Sequence, residues 1–265
     1  MIRAETKQDA VFLQHLEDLK DRCVSRYTTE FTGFLDGRLL SIAKQYLASF
    51  TDDVIAVSFG GFREAERLVI GIFPKDLYAF DGFEEGQLLD SFELKAVIIE
   101  GSGFSSFSHR DVMGSVLGLG IKRETLGDIF VTDDGQKAYI CLDKVACEYI
   151  AANLDFVARD KVKVKIIDVG NLPAIKKKFS VISGTVASER LDCIISLITN
   201  ISREKAKMMI TQGLVSINHF EETRCDTNLC EEDIISVRGF GRFVVKEFGG
   251  VTRKGRNRVV VHKMI

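Results

Sequence analysis

The chain has 265 residues, 46% hydrophobic and 28% charged, and a formal net charge of −2. That length and composition fit two or three globular domains, each with its own core. No apolar run approaches the roughly 20 residues of a membrane-spanning helix, and the N-terminus, MIRAETKQDAVFLQHLEDLK, lacks the apolar segment of a secretory signal, so the expectation is a cytoplasmic protein with no membrane partner.

Taken in chain order, residues 7–26 read as a helix, with Val11, Leu16 and Leu19 recurring at helical spacing between charges. A second helix is predicted over 36–49, with Asp36 as N-cap and Leu39, Leu40, Ala43 and Leu47 facing a core. The segment between them, RYTTEFTGFLD, reads as a loop with aromatic anchors. Residues 1–50 are thus expected to form a small helical domain.

The rhythm then changes. Segments 53–59, 66–73 and 92–100 are dense in Val and Ile and read as strands. Gly60 and Gly61 suggest a turn between the first two. Residues 109–120 read as a helix stopped by glycine, 127–142 as a hairpin around Asp133-Asp134-Gly135, 144–157 as a helix capped by Asp143, and 161–169 as a half-exposed strand. The order β-β-β-α-β-β-α-β predicts an α+β layer at 51–170, with helices on one sheet face. Phe59 and Phe62 are either core residues or base-stacking rings; Arg63 and Arg67 either assist them or pair with Glu64 and Glu66.

Residues 171–187 contain one of the two prolines and the Lys176-Lys177-Lys178 run. They read as a linker, its lysines either solvated or placed for phosphate contact. Beyond it, Leu191, Ile194, Ile195 and Ile198 make one apolar helical stripe. Ser202 caps a second helix ending at Gly213. LVSIN and a strand pair bent at Gly239–Gly241 follow, then a basic tail with a short strand. From Ala187 onward there are 13 Lys and Arg against 10 Asp and Glu, whereas the remainder is net acidic. The sign fits an anionic partner for this part.

Six cysteines, Cys23, Cys141, Cys147, Cys193, Cys225 and Cys230, occur without a CxxC pair and are expected as reduced thiols. No set of ligands completes a zinc site around Cys225 and Cys230. Glu100-Gly101-Ser102-Gly103 lacks the further glycine and acid of a nucleotide loop, and the SGFSSFS that continues it reads as an ordinary loop. Neither a metal, a cofactor nor a small-molecule substrate is expected. Ser108-His109-Arg110-Asp111 invites a catalytic reading, but four consecutive residues at a helix start do not align a nucleophile with its base. Ser108 is better read as an N-cap with Asp111 near the positive helix end. No catalytic residue is assigned.

Arg190, Arg203, Lys205, Lys207, Arg238 and Arg242 are the candidate RNA contacts in the last third. Arg grips phosphate in bidentate fashion and Lys acts as a point charge. Arg203 lies in a first helical turn, where backbone N–H groups add positive potential.

The pattern RLDxxI…SRxxAxxxIxxGxVxIN…xDxIxVRGFGRF, over 188–248, resembles the S-four (αL) RNA-binding domain, named after a small-subunit ribosomal protein. Segments 26–36, 58–67 and above all SHRDVMGSVLGLGIKRETLGDIFV (108–131) are similar to the YlmH family of S-four proteins. The resemblance implies a central module like an RNA-recognition fold ahead of an S-four domain at 188–265. It implies contacts from Arg190, Arg203, Lys207 and Arg242 to rRNA or tRNA, and a structural or RNA-facing role for His109, Arg110, Lys122 and Arg123. It implies a non-enzymatic protein docked on the large ribosomal subunit with peptidyl-tRNA in ribosome-associated quality control. An RNA-modifying enzyme of pseudouridine-synthase or methyltransferase type, or an adaptor in cell division, are the alternatives. No synthetase or pseudouridine-synthase signature is present, and Arg190-Leu191-Asp192, at a helix start, marks Asp192 as structural. His219 stands in a turn where many S-four domains have glycine.

Overall fold

A computed structural model describes residues 6–48, 53–78, 85–174, 178–253 and 255–264. The chain divides into two compact units, Met1–Ile175 and Lys176–Ile265.

The first unit holds two sheets. Helix α1 (Lys7–Arg26) starts at a capping box in which Thr6 and Asp9 exchange hydrogen bonds. Strand β1 (Glu30–Phe31) precedes α2 (Gly37–Leu47), which is capped by Asp36 accepting from the N–H groups of Arg38 and Leu39. Strands β2 (Val54–Phe59) and β3 (Val69–Pro74) follow and pair antiparallel, with β1 on the other side of β3. The expected boundary at residue 50 therefore gives way. Two helices alone cannot enclose a core, and Leu16, Leu19 and Cys23 of α1 pack on Ile70 and Ile72 of β3. Val11 is not part of this core: it is 71% exposed, and Phe12 packs in its place.

Short helices α3 (Lys75–Tyr78) and α4 (Glu85–Asp90) lead into the second sheet. Its elements are β4 (Leu94–Glu100), α5 (His109–Gly118), β5 (Leu126–Val131), β6 (Lys137–Asp143), α6 (Lys144–Asn153), a small ribbon of β7 (Phe156–Val157) with β8 (Asp160–Lys161), and β9 (Lys163–Asp168). The strand order β5-β6-β4-β9, antiparallel throughout, makes a β-α-β-β-α-β layer. Alternation along β4 sends Val97 and Ile99 to a core with α5 and α6, where Val112, Val116, Cys147 and Ile150 are buried. Leu94 and Ala96 point the other way and meet Phe34, Phe73 and Phe92.

That second cluster welds the two sheets. Phe59 and Phe62 pack against it, the Phe59 and Phe92 rings lying 5.7 Å apart, so both are core residues. Arg67 is not a nucleic-acid contact either. Its guanidinium donates to the carbonyls of Leu126 at 2.7 Å, Phe34 at 2.9 Å and Arg123 at 3.0 Å, while its N–H and that of Glu66 donate to the Asp128 carboxylate. Burial lowers the Arg67 pKa from its ordinary value.

The second unit is a six-stranded sheet, order β10-β15-β14-β13-β11-β12, with two helices. Strand β10 (Phe179–Val186) pairs along its length with β15 (Asn257–Met264). The expected linker at 171–187 is thus largely a strand. Its alternation of exposed Val181, Ser183 and Thr185 with more buried Ile182, Gly184 and Val186 is that of an edge with one wet face, and its partner lies far along the chain. Of the lysine run, Lys176 and Lys177 lie outside the described residues. Helix α7 (Leu191–Thr199) and helix α8 (Arg203–Thr211) precede β11 (Val215–Ile217), β12 (Phe220–Glu221), β13 (Ile234–Val237) and β14 (Gly241–Val251). Leu191, Ile194, Ile195 and Ile198 of α7 and Ala206 and Ile210 of α8 bury against Ile235, Phe243 and Val261 of the sheet.

The β11–β12 turn puts Asn218 at φ 49° and His219 at φ 72°, both left-handed, as a tight two-residue hairpin requires. Asn218 tolerates this because its amide donates to Asp233 at 2.7 Å and accepts from the Ile234 N–H at 3.0 Å. His219 bears the steric cost of a Cβ there.

Replacing Arg67 by Met removes the guanidinium donor from three carbonyls, of which Arg123's keeps the Leu126 N–H, and is expected to lower the unfolding free energy by about 2–3 kcal/mol. Urea denaturation reads this, and an unchanged midpoint would show the clamp contributes nothing. His219→Gly is expected to raise stability by about 0.5–1 kcal/mol; a lower melting temperature would contradict the strain assigned to the turn.

Candidate nucleic-acid interface

The N-terminus of α7 is pinned by backbone bonds. The N–H groups of Leu191 and Asp192 donate to the carbonyls of Thr227 and Cys225. This places the Asp192 side chain, 0% exposed, in the first helical turn, where the helix dipole favours an anion. Three cations surround it. Arg203 Nε donates to one carboxylate oxygen at 2.8 Å, Arg190 Nε to the other at 3.3 Å, and Lys207 Nζ stands 4.0 Å away.

Burial works against the charge on Asp192. The hydrogen bond and charge of Arg203, with the Arg190 guanidinium, outweigh it and hold the carboxyl below its ordinary range. The Arg203 pKa is raised in turn by its hydrogen bond to Asp192. The cluster carries three positive charges against one negative, and its cations stay between a third and a half exposed while the carboxylate is sealed. Both arginines use Nε on Asp192, and their Nη nitrogens hydrogen-bond no other described residue. Such an array can grip a phosphate from fixed positions.

Three of the six C-terminal candidates, Arg190, Arg203 and Lys207, are therefore brought together. Helix α8, which carries Arg203 and Lys207, is capped by Ser202, whose hydroxyl accepts from the Lys205 N–H at 3.3 Å; the Lys205 side chain is exposed. Arg238 and Arg242 sit on the β13–β14 hairpin instead. Arg238 is exposed at the turn, its N–H bonded to the Leu214 carbonyl, and Arg242 stands opposite Ser236. Gly239 at φ 86° and Gly241 at φ 111° make that turn.

His109, Arg110 and Arg123 belong to the first unit. His109 and Arg110 are exposed on the first turn of α5. Ser108 and Asp111 form a capping box: the Asp111 carboxylate accepts from both the N–H and the hydroxyl of Ser108. That occupies the serine hydroxyl as a helix cap. Arg123 donates to Met113 Sδ at 2.9 Å, and Lys122 lies 3.9 Å from Glu124. Cys141 and Cys147 are buried thiols pushed up to about 12, chiefly by burial, so neither is an ionised nucleophile at neutral pH.

Two surface features escape the sequence reading. Phe104, within the loop read as ordinary, is 98% exposed; the loop is anchored because Ser102 donates to the Asp160 carboxylate through its N–H and hydroxyl. Phe130 and Tyr139 face each other across β5 and β6. They stand symmetrically about Asp134-Gly135 in the Asp133-Asp134-Gly135 turn, so the hairpin pattern contained that pairing.

Asp192→Asn is expected to cost about 2–3 kcal/mol, because it strands its cationic partners around a neutral group. The depressed folded pKa also fixes a sign. The stabilisation from Asp192 is complete above the unfolded-state carboxyl pKa and is lost as pH falls through the lower, folded one. Acid denaturation of the variant should therefore be shallower than that of the parent; identical acid limbs would remove Asp192 from this role.

Residues 89–171 match the family model described as "Putative RNA-binding domain in YlmH". The chain is 28% identical over 260 residues to "Ribosome-associated protein quality control protein P2" of Bacillus subtilis, covering 97% of this chain and 96% of that protein. A solved structure, "Cell division protein ylmH from Streptococcus pneumoniae", matches with a TM-score of 0.51 at 20% identity, over 63% of this chain and 94% of that one; it shows a shared fold. The matched segment spans the β4–β9 layer and its helices, so the chain is similar to YlmH in its central domain and to the Bacillus protein along nearly its whole length.

Proposed function

We propose that the protein is a non-enzymatic RNA-binding protein that docks on structured rRNA and tRNA at the large ribosomal subunit and serves ribosome-associated quality control with peptidyl-tRNA. The observation that carries this is the clustering of Arg190, Arg203 and Lys207, each partly exposed, on one buried carboxylate where α7 and α8 meet. Short helices bearing cations suit the phosphate backbone of A-form RNA, whose major groove is too narrow to read. The sequence pattern over 188–248 resembles an S-four domain, which supports this reading, and Lys205, Arg238 and Arg242 extend its cationic surface. His109, Arg110 and Arg123 supply a second set of contacts from the central RNA-recognition-like domain. The family model's description and the printed name of the Bacillus relative both support RNA and ribosomes as partners.

Reversing Arg203 to Glu is a poor test, since it sets a second carboxylate against Asp192. Lys207→Gln with Arg242→Gln leaves the Arg–Asp pairs in place. The double variant should bind an RNA duplex more weakly, and the slope of log K against log salt should fall by about 0.7–0.9 per lost phosphate contact. Gradient sedimentation of the full chain with ribosomal particles should show the parent on the large subunit at near-physiological salt. Absence from ribosomes there, or an unchanged salt slope, would overturn the proposal.

A further inference from the structure

The central sheet has helices on one face and is divided on the other. One half of that second face is sealed by the first sheet. Leu94, Ala96 and Cys141 lie in the shared aromatic cluster, and Asp128 accepts from the loop at Glu66 and Arg67. A cross-strand row further along, Phe130, Tyr139, Ile98 and Lys165, follows from the register. The next row holds Lys137, Glu100 and Lys163. These two rows carry no deeply buried side chain.

We infer that this open half of the β4–β9 sheet is a stacking platform for single-stranded RNA, with Phe130 and Tyr139 as ring contacts and Lys137, Lys163 and Lys165 as phosphate contacts. The inference deepens the reading of the chain as RNA-binding and rests on it. The two rings lie 6.3 Å apart with a 34° tilt on neighbouring strands, which spaces them for successive bases. The Tyr139 hydroxyl has no hydrogen-bond partner among the described residues. Glu100 takes Lys165 at 2.7 Å and Lys137 at 3.3 Å, which holds its carboxyl below its ordinary range and orients both lysines across the face. Lys163 adds a further charge, leaving the row net positive. Asp134, at the hairpin turn, is engaged by Thr132 and the Gln136 N–H. Two rings framed by three lysines suit a polyanion with flat bases. A protein-binding core would be broader, more apolar and depleted in lysine.

The test uses the full chain and two probes, labelled oligouridine and a fully paired RNA duplex. Phe130→Leu with Tyr139→Leu keeps apolar bulk and removes both rings. It should weaken oligouridine binding about tenfold or more and change duplex binding less than twofold. Tyr139→Phe should bind as the parent does. Lys163→Gln with Lys165→Gln, on exposed positions, should weaken oligouridine binding and lower its salt dependence with the fold intact. Thiouridine crosslinks should map to the β5–β6 hairpin. Parental oligouridine affinity in the lysine variant, or crosslinks only outside this sheet, would overturn the inference. So would loss of ribosome association with unchanged oligouridine binding, which would mark the face as a protein contact. The duplex arm reads the C-terminal cluster separately: if duplex binding ignores Lys207 and Arg242 while oligouridine binding follows the rings, the proposed docking mode fails and the platform stands.

Discussion

A single carboxylate, Asp192, lets three cations share a small surface at the start of α7 and α8. Two like charges about 6 Å apart repel by about 3 kcal/mol at an effective dielectric of 20. Without a counter-charge, Arg190, Arg203 and Lys207 would spread into solvent and lose any fixed geometry. Burial makes the anion costly, and the first turn of α7 with two guanidinium groups offsets that cost. The arrangement is thus structural and functional at once. The same bonds that fasten α8 to α7 hold positive charge at the surface.

The first unit solves a different problem. A four-stranded sheet with helices on one face leaves the other face open, and an open apolar face must be covered or used. Here it is divided. The aromatic cluster around Phe34, Phe73 and Phe92, with the Arg67–Asp128 clamp, attaches a second sheet over one half. The other half keeps Tyr139, Phe130 and a frame of lysines. Arg67 spends its charge on carbonyls, which is why it is a poor guide to an RNA surface.

Much of this was legible in the chain. Capping residues Asp36, Ser108, Asp143 and Ser202 act locally, through one side-chain oxygen and the next few N–H groups, so they mark helix starts without reference to the fold. The Asp133-Asp134-Gly135 hairpin and the α7 stripe are local in the same sense. Strand partnership is not. Val54–Phe59 and Val69–Pro74 looked like members of the central sheet because propensity says only that a segment is a strand; which sheet it joins depends on Leu16, Leu19 and Cys23, far back in the chain. Phe179–Val186 read as a linker because half its residues face water and its partner begins at Asn257.

The sequence by itself therefore determined the helix ends, the turns, the cationic character of the last third and the family pattern, since each is written in neighbouring residues. Only the tertiary structure decided which cations meet. It gathered Arg190, Arg203 and Lys207 on Asp192, set Arg238 and Arg242 on a separate hairpin, and gave Arg67 to backbone carbonyls. The physical reason is range: capping and turn energies act over three or four residues, whereas burial of a carboxylate or a guanidinium depends on the chain segments that fold around it.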